Sequence, residues 1–357
     1  MSMFKKARGA AIALATTALL AGSLVGTTAV VAQDEEPFKL GMAVGGFACC
    51  DWMKSQGDVA RALAEQRGWD YFELDNAGDS GGETAVNNAR LFVQEGVDAV
   101  IQFQGNPDQN PAIAAILGAA GIPIITYDIA QEGMHFVGID NVAAGIAGGE
   151  GLGALVRDQW NCEPDLVISA EGAGAGIVNE WRTGGMRTGL ANICPDIPAE
   201  KWVSVETNGQ ATEGLPASLD LLAANPDAVR MAVVGLNDGG VLAVLNAADQ
   251  LGRADEVMGW GQDGSFIVGD NVHPNLKGSV FYFLEGYAAY ALTDVVDKIA
   301  AGEELEVKWE AGDPASQVTP CPVSVEEAKA IPGLQERVDA IVANPTTTLF
   351  DLFCPTA

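Results

Sequence analysis

From Phe38 onward, short apolar runs alternate with helical patterns, and the alternation comes in two blocks with no low-complexity linker between them. Neighbouring parallel strands need a crossover between them, and a helix is the usual one. A chain with this rhythm is therefore committed to an α/β fold, with parallel sheets covered by helices on both faces. In the first block, 39–44 reads as a buried strand. Residues 51–67 read as a helix, with Val59, Ala60 and Leu63 on one face and Gly68 as its stop. Strands are expected at 71–74, 97–103 and 123–127, and helices at 83–94 and 111–119. The rhythm restarts with strands at 135–139, 166–170, 202–205, 229–234, 257–260 and 279–283. Helices at 143–159, 179–190, 213–224, 239–251 and 286–301 separate most of them. Two similar Rossmann-like lobes, tightly joined, are the expected architecture.

The ends of the chain have separate meanings. Lys5, Lys6 and Arg8 precede an uncharged stretch of small and apolar residues from Gly9 to Gly26, and Val30-Val31-Ala32 offers small residues for cleavage. Residues 1–32 read as a signal peptide cut near Ala32, which places the mature protein in the periplasm or outside the cell. A retained membrane anchor is the alternative, but the stretch is rich in Ala, Gly and Thr rather than Leu and Ile. Cleavage leaves 16 basic against 48 acidic residues, a net charge of −32. So acidic a surface excludes a nucleic-acid partner and disfavours anionic lipid. It suits either a saline medium, where salt screens self-repulsion, or an ordinary acidic exported protein.

Six cysteines follow the leader: Cys49, Cys50, Cys162, Cys194, Cys321 and Cys354. An even number in an exported chain favours disulfides, and six allow 15 pairings. The expected bridges are Cys162–Cys194 and Cys321–Cys354. Cys49 and Cys50 either form a vicinal bridge or pair with a distant partner. No C-x-x-C pair is present and the chain has only His135 and His273, so neither zinc nor any other cofactor is expected.

In open α/β sheets, ligands bind outside the carboxyl ends of the strands, so the loops after each strand map the function. Those loops hold Phe47, Trp52, Asp108, Asp128, Glu171, Asn179, Trp181, Arg182, Asn208, Asn237, Asp263 and Glu285. For Asp51 or Asn110 alone, helix capping is the simpler account. Taken together, the set combines aromatic faces with carboxylates, amides and a guanidinium. Sugars ask for this mixture: planar polar groups pair with vicinal hydroxyls, and aromatic rings stack on the C–H faces. Gly172-Ala173-Gly174-Ala175-Gly176 lacks the G-x-G-x-x-G spacing of a dinucleotide loop and reads as a tight turn. No G-x-S-x-G elbow is present, and neither histidine has a nucleophile partner, so no enzyme activity is expected.

Several segments resemble one family in order and spacing. These are Gly96-Val97-Asp98-Ala99-Val100-Ile101, Gly121 to Asp128, Val137-Gly138-Ile139-Asp140-Asn141, Arg182 with Gly185-Met186, Leu236-Asn237-Asp238 and Gly261-Gln262-Asp263-Gly264. The chain is similar to the type I periplasmic sugar-binding proteins of ABC importers, the ribose- and galactose-binding group, from about Phe38 to Val307. The resemblance implies a monomeric, hinged trap that closes on a sugar or polyol and delivers it to an ABC permease. It implies that Asp108, Arg182, Asn237 and Asp263 bond hydroxyls, that Phe47 and Trp52 stack, and that Asn88 sits near a polar position. This sequence departs from the family where Phe283 replaces a Gln and where Asn208 falls near an expected aromatic. Trp181 is the substitute stacking partner. The expected lobes are 38–127 with 284–307, and 128–283 with part of 308–322, crossing near Tyr127–Asp128, Phe283–Leu284 and beyond Val307. Residues 323–357 are expected to pack across the lobe junction, clipped by Cys321–Cys354. The alternatives are a sensory or polyol-binding protein and an exported carbohydrate-acting enzyme.

Overall fold

The computed structural model describes residues 36–45, 51–76, 82–103, 107–269, 271–309 and 316–355. The leader, Phe47, Cys49, Cys50 and the side chain of Trp52 lie outside the described residues. Among the described residues, no helix is long and apolar enough to cross a membrane.

The first half runs β1 (Lys39–Val44), α1 (Asp51–Gln66), β2 (Asp70–Asp75), α2 (Gly82–Glu95), β3 (Ala99–Gln102), α3 (Asn110–Ala119), β4 (Ile124–Tyr127) and β5 (His135–Ile139). The second runs α4 (Asn141–Trp160), β6 (Leu166–Glu171), α5 (Ile177–Ile193), β7 (Trp202–Glu206), α6 (Leu215–Ala224), β8 (Met231–Gly235), α7 (Asp238–Gln250), β9 (Val257–Asp263) and β10 (Leu276–Phe281). A broken helix follows, α8 (Tyr287–Tyr290) and α9 (Asp297–Ala300), with a π-helical turn between them. The chain finishes with β11 (Ser316–Val318), β12 (Cys321–Ser324), α10 (Val325–Ala328), α11 (Leu334–Ala343) and α12 (Leu349–Phe353).

Two six-stranded sheets result, ordered β11-β5-β4-β3-β1-β2 and β12-β10-β9-β8-β6-β7. Every pair is parallel except β10 with β12. Inner strands such as β1, β3, β5 and β8 are almost wholly buried, because helices cover both faces, whereas the edge strands β2 and β7 are more exposed. In each sheet the strand order turns back beside the first strand, at β1 and at β6, which opens a crevice at the carboxyl edge.

One lobe boundary differs from the sequence expectation. Strand 135–139 does not open the second lobe; it pairs with β4 in the first sheet. Only Asp128–Met134 separates β4 from β5, far less than the dozen or more residues that parallel strands usually need. The first crossing therefore falls at Asp140, not at Tyr127–Asp128. The second falls between β10 and α8. The third lies between β11 in the first sheet and β12 in the second.

The two expected disulfides, Cys162–Cys194 and Cys321–Cys354, are both present. The segment after β12 contacts both halves of the chain. Gln66 of α1 donates to the Val342 carbonyl, and Phe283 packs on Phe353 with ring centroids 5.5 Å apart. The Tyr290 hydroxyl accepts from the Leu349 backbone N–H.

Helices α4 and α5 approach unusually closely. A Cβ on Gly149 would stand 2.1 Å from the Met186 carbonyl oxygen, and one on Gly189 would stand 2.0 Å from that of Ile146. Glycine is needed at both positions because backbone cannot yield as a flexible side chain can. This contact sets the position of α5, and with it Arg182.

Candidate functional site

Arg182 lies in the first half of α5 and is only 4% exposed. Its Nη2 donates to Asp128 Oδ1 at 2.7 Å, and its Nε donates to Asn141 Oδ1 at 2.7 Å. Asp128 follows β4 in the first lobe, Asn141 opens α4, and α5 belongs to the second lobe. One guanidinium thus ties the two lobes together. It also sits 4.8 Å from the centre of the Tyr282 ring, at the second crossing. Burial works against its charge, but Tyr282, Asp128, Tyr287 and Asp263 more than offset this, so the guanidinium is held charged.

Asp263 closes β9. Burial pushes its carboxyl up to about 6, while hydrogen bonds from Ser265 and the charge of Arg182 pull the other way. Asp238 is fully buried beside it and is pushed well up, by burial and then by Asp263. The Asp238 carboxylate accepts from the Ser279 hydroxyl at 2.7 Å and the Phe266 N–H at 3.0 Å. Gly261 makes room for it: a Cβ there would stand 1.9 Å from Asp238 Oδ1.

A carboxyl whose folded value lies above its unfolded one stabilises most below about pH 4 and loses that contribution as pH climbs through about 6. Urea melts of wild type and Asp263→Asn over this range are expected to show it. The stability of wild type relative to the variant should fall as pH rises; a constant difference would contradict the assignment.

Backbone strain gathers at the same edge. Asp128, Asn208, Asp263 and Phe283 all have positive φ, at 62°, 52°, 82° and 51°. Side chains rarely adopt this region, and it persists where surroundings over-determine it, commonly at functional sites. Asp263 ends β9, Asp128 directly follows β4, and Asn208 and Phe283 lie two residues beyond β7 and β10.

The remaining expected residues divide. Asn237 caps α7, its Oδ1 accepting from Gly240 N–H at 2.9 Å, and it lines a cavity of about 640 Å³ together with Gln210, Asp263 and Phe266. Asp108 is exposed in a 3-10 turn after β3. Asn110 is the first residue of α3, and the cap position before it makes no side-chain bond, so capping does not explain it. Trp181 is half-buried against the core. Asn88 spends its amide inside the first lobe, donating to the Asp75 carbonyl and to Asn76 Oδ1, both at 2.9 Å. Asn76 in turn donates to the Phe103 carbonyl, so Asn88 braces the loops after β2 and β3. Phe283 is fully buried between Phe281 and Phe353, which removes it from any ligand surface. An apolar ring at the crossing is sequestered by the apolar tail.

Three contributors were missed. Asn141 lies in the Val137-to-Asn141 segment that carries the family resemblance, but it was given no role there. Tyr282 sits inside an apolar run and shows no polar signal. Phe266, 50% exposed, stands three residues beyond Asp263, where a ring beside a carboxylate was the available clue. Among the described residues, no cluster of His, Cys, Asp and Glu could hold a metal ion.

Comparison with known proteins agrees with this layout. Residues 50–304 match the periplasmic binding protein domain family. No curated protein matches the sequence. Solved structures of similar fold include an ABC transporter solute-binding protein from Actinobacillus succinogenes with bound D-allose. It is 20% identical, covers 82% of this chain and 99% of its own, and has a TM-score of 0.66. A solute-binding protein from Bacillus halodurans with bound myo-inositol is 18% identical, with coverages of 83% and 97% and a TM-score of 0.65. One from Mycobacterium smegmatis with bound glycerol is 22% identical, with the same coverages and a TM-score of 0.64.

Proposed function

The chain belongs to the periplasmic binding protein family, and on that premise we propose that it traps a sugar or polyol between its lobes and delivers it to an ABC permease. The observation that carries this reading is the Asp128–Arg182–Asn141 cluster, which joins a first-lobe loop to a second-lobe helix. Carboxylate, amide and guanidinium are the groups that pair with hydroxyls, and here they satisfy one another. A sugar entering between them exchanges those bonds for its own. Ligand touching both lobes binds the closed arrangement better and shifts the population toward it. Periplasmic binding proteins as a class close by hinge motion around their ligands. Phe266 and Trp181 are the described aromatic faces available for stacking. The solutes bound by the similar structures, an aldose and two polyols, favour the same chemical class. The protein acts as an exported monomer and returns its solute unchanged.

A thermal-shift screen of the mature protein against pentoses, hexoses, polyols and disaccharides tests this. A binder at a hundredfold excess over its dissociation constant adds about 2.7 kcal/mol of stability. The expected result is a clear rise in melting point with one solute class, recovered chemically intact. Consumption of the hit would overturn the trap in favour of an enzyme, and no shift with any of them would overturn the sugar assignment.

A further inference from the structure

We propose that the disulfide-clipped C-terminal segment is a wall of the ligand cleft, and that Leu334 and Arg337 on it select which solute is held. The inference rests on the sugar-binding reading above. The cavity that reaches Gln210, Asn237 and Asp263 is closed on another side by Glu285, Leu334 and Arg337. Its volume of about 640 Å³ lies within the range of small-molecule sites. Leu334 and Arg337 belong to α11, beyond residue 304, where the family match ends.

The wall is built from paired chemistry. Arg337 is 6% exposed and Glu285 2%. Arg337 Nε donates to Glu285, and its Nη1 donates to the Pro332 carbonyl. Its guanidinium lies over the Phe281 ring, 5.1 Å from the centroid. These contacts hold a planar donor group rigidly at the cavity, and Nη2 makes no hydrogen bond among the described residues. A guanidinium beside a carboxylate offers a donor and an acceptor at fixed spacing, which suits vicinal hydroxyls. Leu334, partly exposed, supplies the apolar part of the wall and limits the size of what fits. The Cys321–Cys354 bridge closes the loop that carries α11, so the wall's position depends on a covalent clip.

Isothermal titration of the full mature chain with D-allose, myo-inositol, D-ribose and glycerol reads this directly. Leu334→Trp fills the cavity and should weaken the tightest of these by at least about tenfold. Leu334→Ala, which cannot overpack and so covers the case in which the Trp variant fails to fold, should change the ratios among the four probes by about threefold or more. Glu336→Gln, exposed on the same helix, should leave all four affinities at wild-type values. If both Leu334 variants bind every probe within about twofold of wild type, the wall is overturned while the sugar reading stands. If wild type binds none of these probes, nor any solute of the thermal screen, the sugar reading falls and the wall with it.

Discussion

Replacing Arg182 with Met should weaken solute binding on the order of 100-fold, equivalent to about 3 kcal/mol, and should also destabilise the empty protein. The second effect follows from burial. The side chains of Arg182 and Asp128 are 5% and 12% exposed, and breaking a buried pair by removing one partner costs about 3–5 kcal/mol because the other charge stays in place. Asn141 Oδ1 loses its donor at the same time. Two readouts separate the roles. In the double variant Arg182→Met/Asp128→Leu, no charge is stranded, so denaturant melts should recover part of the lost stability. Binding should not recover, because the hydroxyl-pairing groups are gone. A double variant that regains affinity together with stability would show Arg182 to be a structural brace only.

The second large effect is expected from the terminal clip. Changing Cys321 and Cys354 to Ser opens a loop with a sequence separation of 33 residues. On the loop-entropy account this costs about 3–4 kcal/mol. The loss should be local as well as global, because the bridged segment carries α11 and α12. Trypsin reports on it: Lys329 and Arg337 both lie inside the loop, and Arg337 is buried and paired with Glu285. The variant should be cut at Arg337 under conditions where wild type is not. Equal cutting of both proteins would show that the segment is held by packing alone, through contacts such as Phe283 with Phe353.

These effects differ in how far they were legible in the sequence. Arg182 was marked by its place after a strand and by its motif, and both disulfides by an even cysteine count in an exported chain. Asn237 and Asp263 were marked the same way as Arg182, and both line the cavity. Asn88 had the right polarity, but its amide is spent on the neighbouring loop. Phe283 ends an apolar run beside expected cleft residues, but its ring is buried, and no pattern in the sequence tells a ring turned inward from one turned to a cleft.

Periodicity determined the class of fold by itself. Buried parallel strands must be apolar throughout and helices amphipathic, so β1 and β5 have the bounds that their apolar runs imply. The loops at the carboxyl ends followed from that class, and the candidate residues followed from the loops. Pairing was decided only by the tertiary structure. Strand β5 joins the first sheet across a connection too short for a standard crossover, and β11 and β12 are edge strands of only three and four residues, too short for a periodic pattern to mark. Side-chain direction across the cleft was likewise decided in space. Arg182 meets Asp128 and Asn141 because Gly149 and Gly189 let α4 and α5 touch, and Arg337 reaches the cavity because α11 folds back on Glu285. Local pattern reflects which surfaces must be buried, whereas the partner each surface meets depends on contacts distant along the chain.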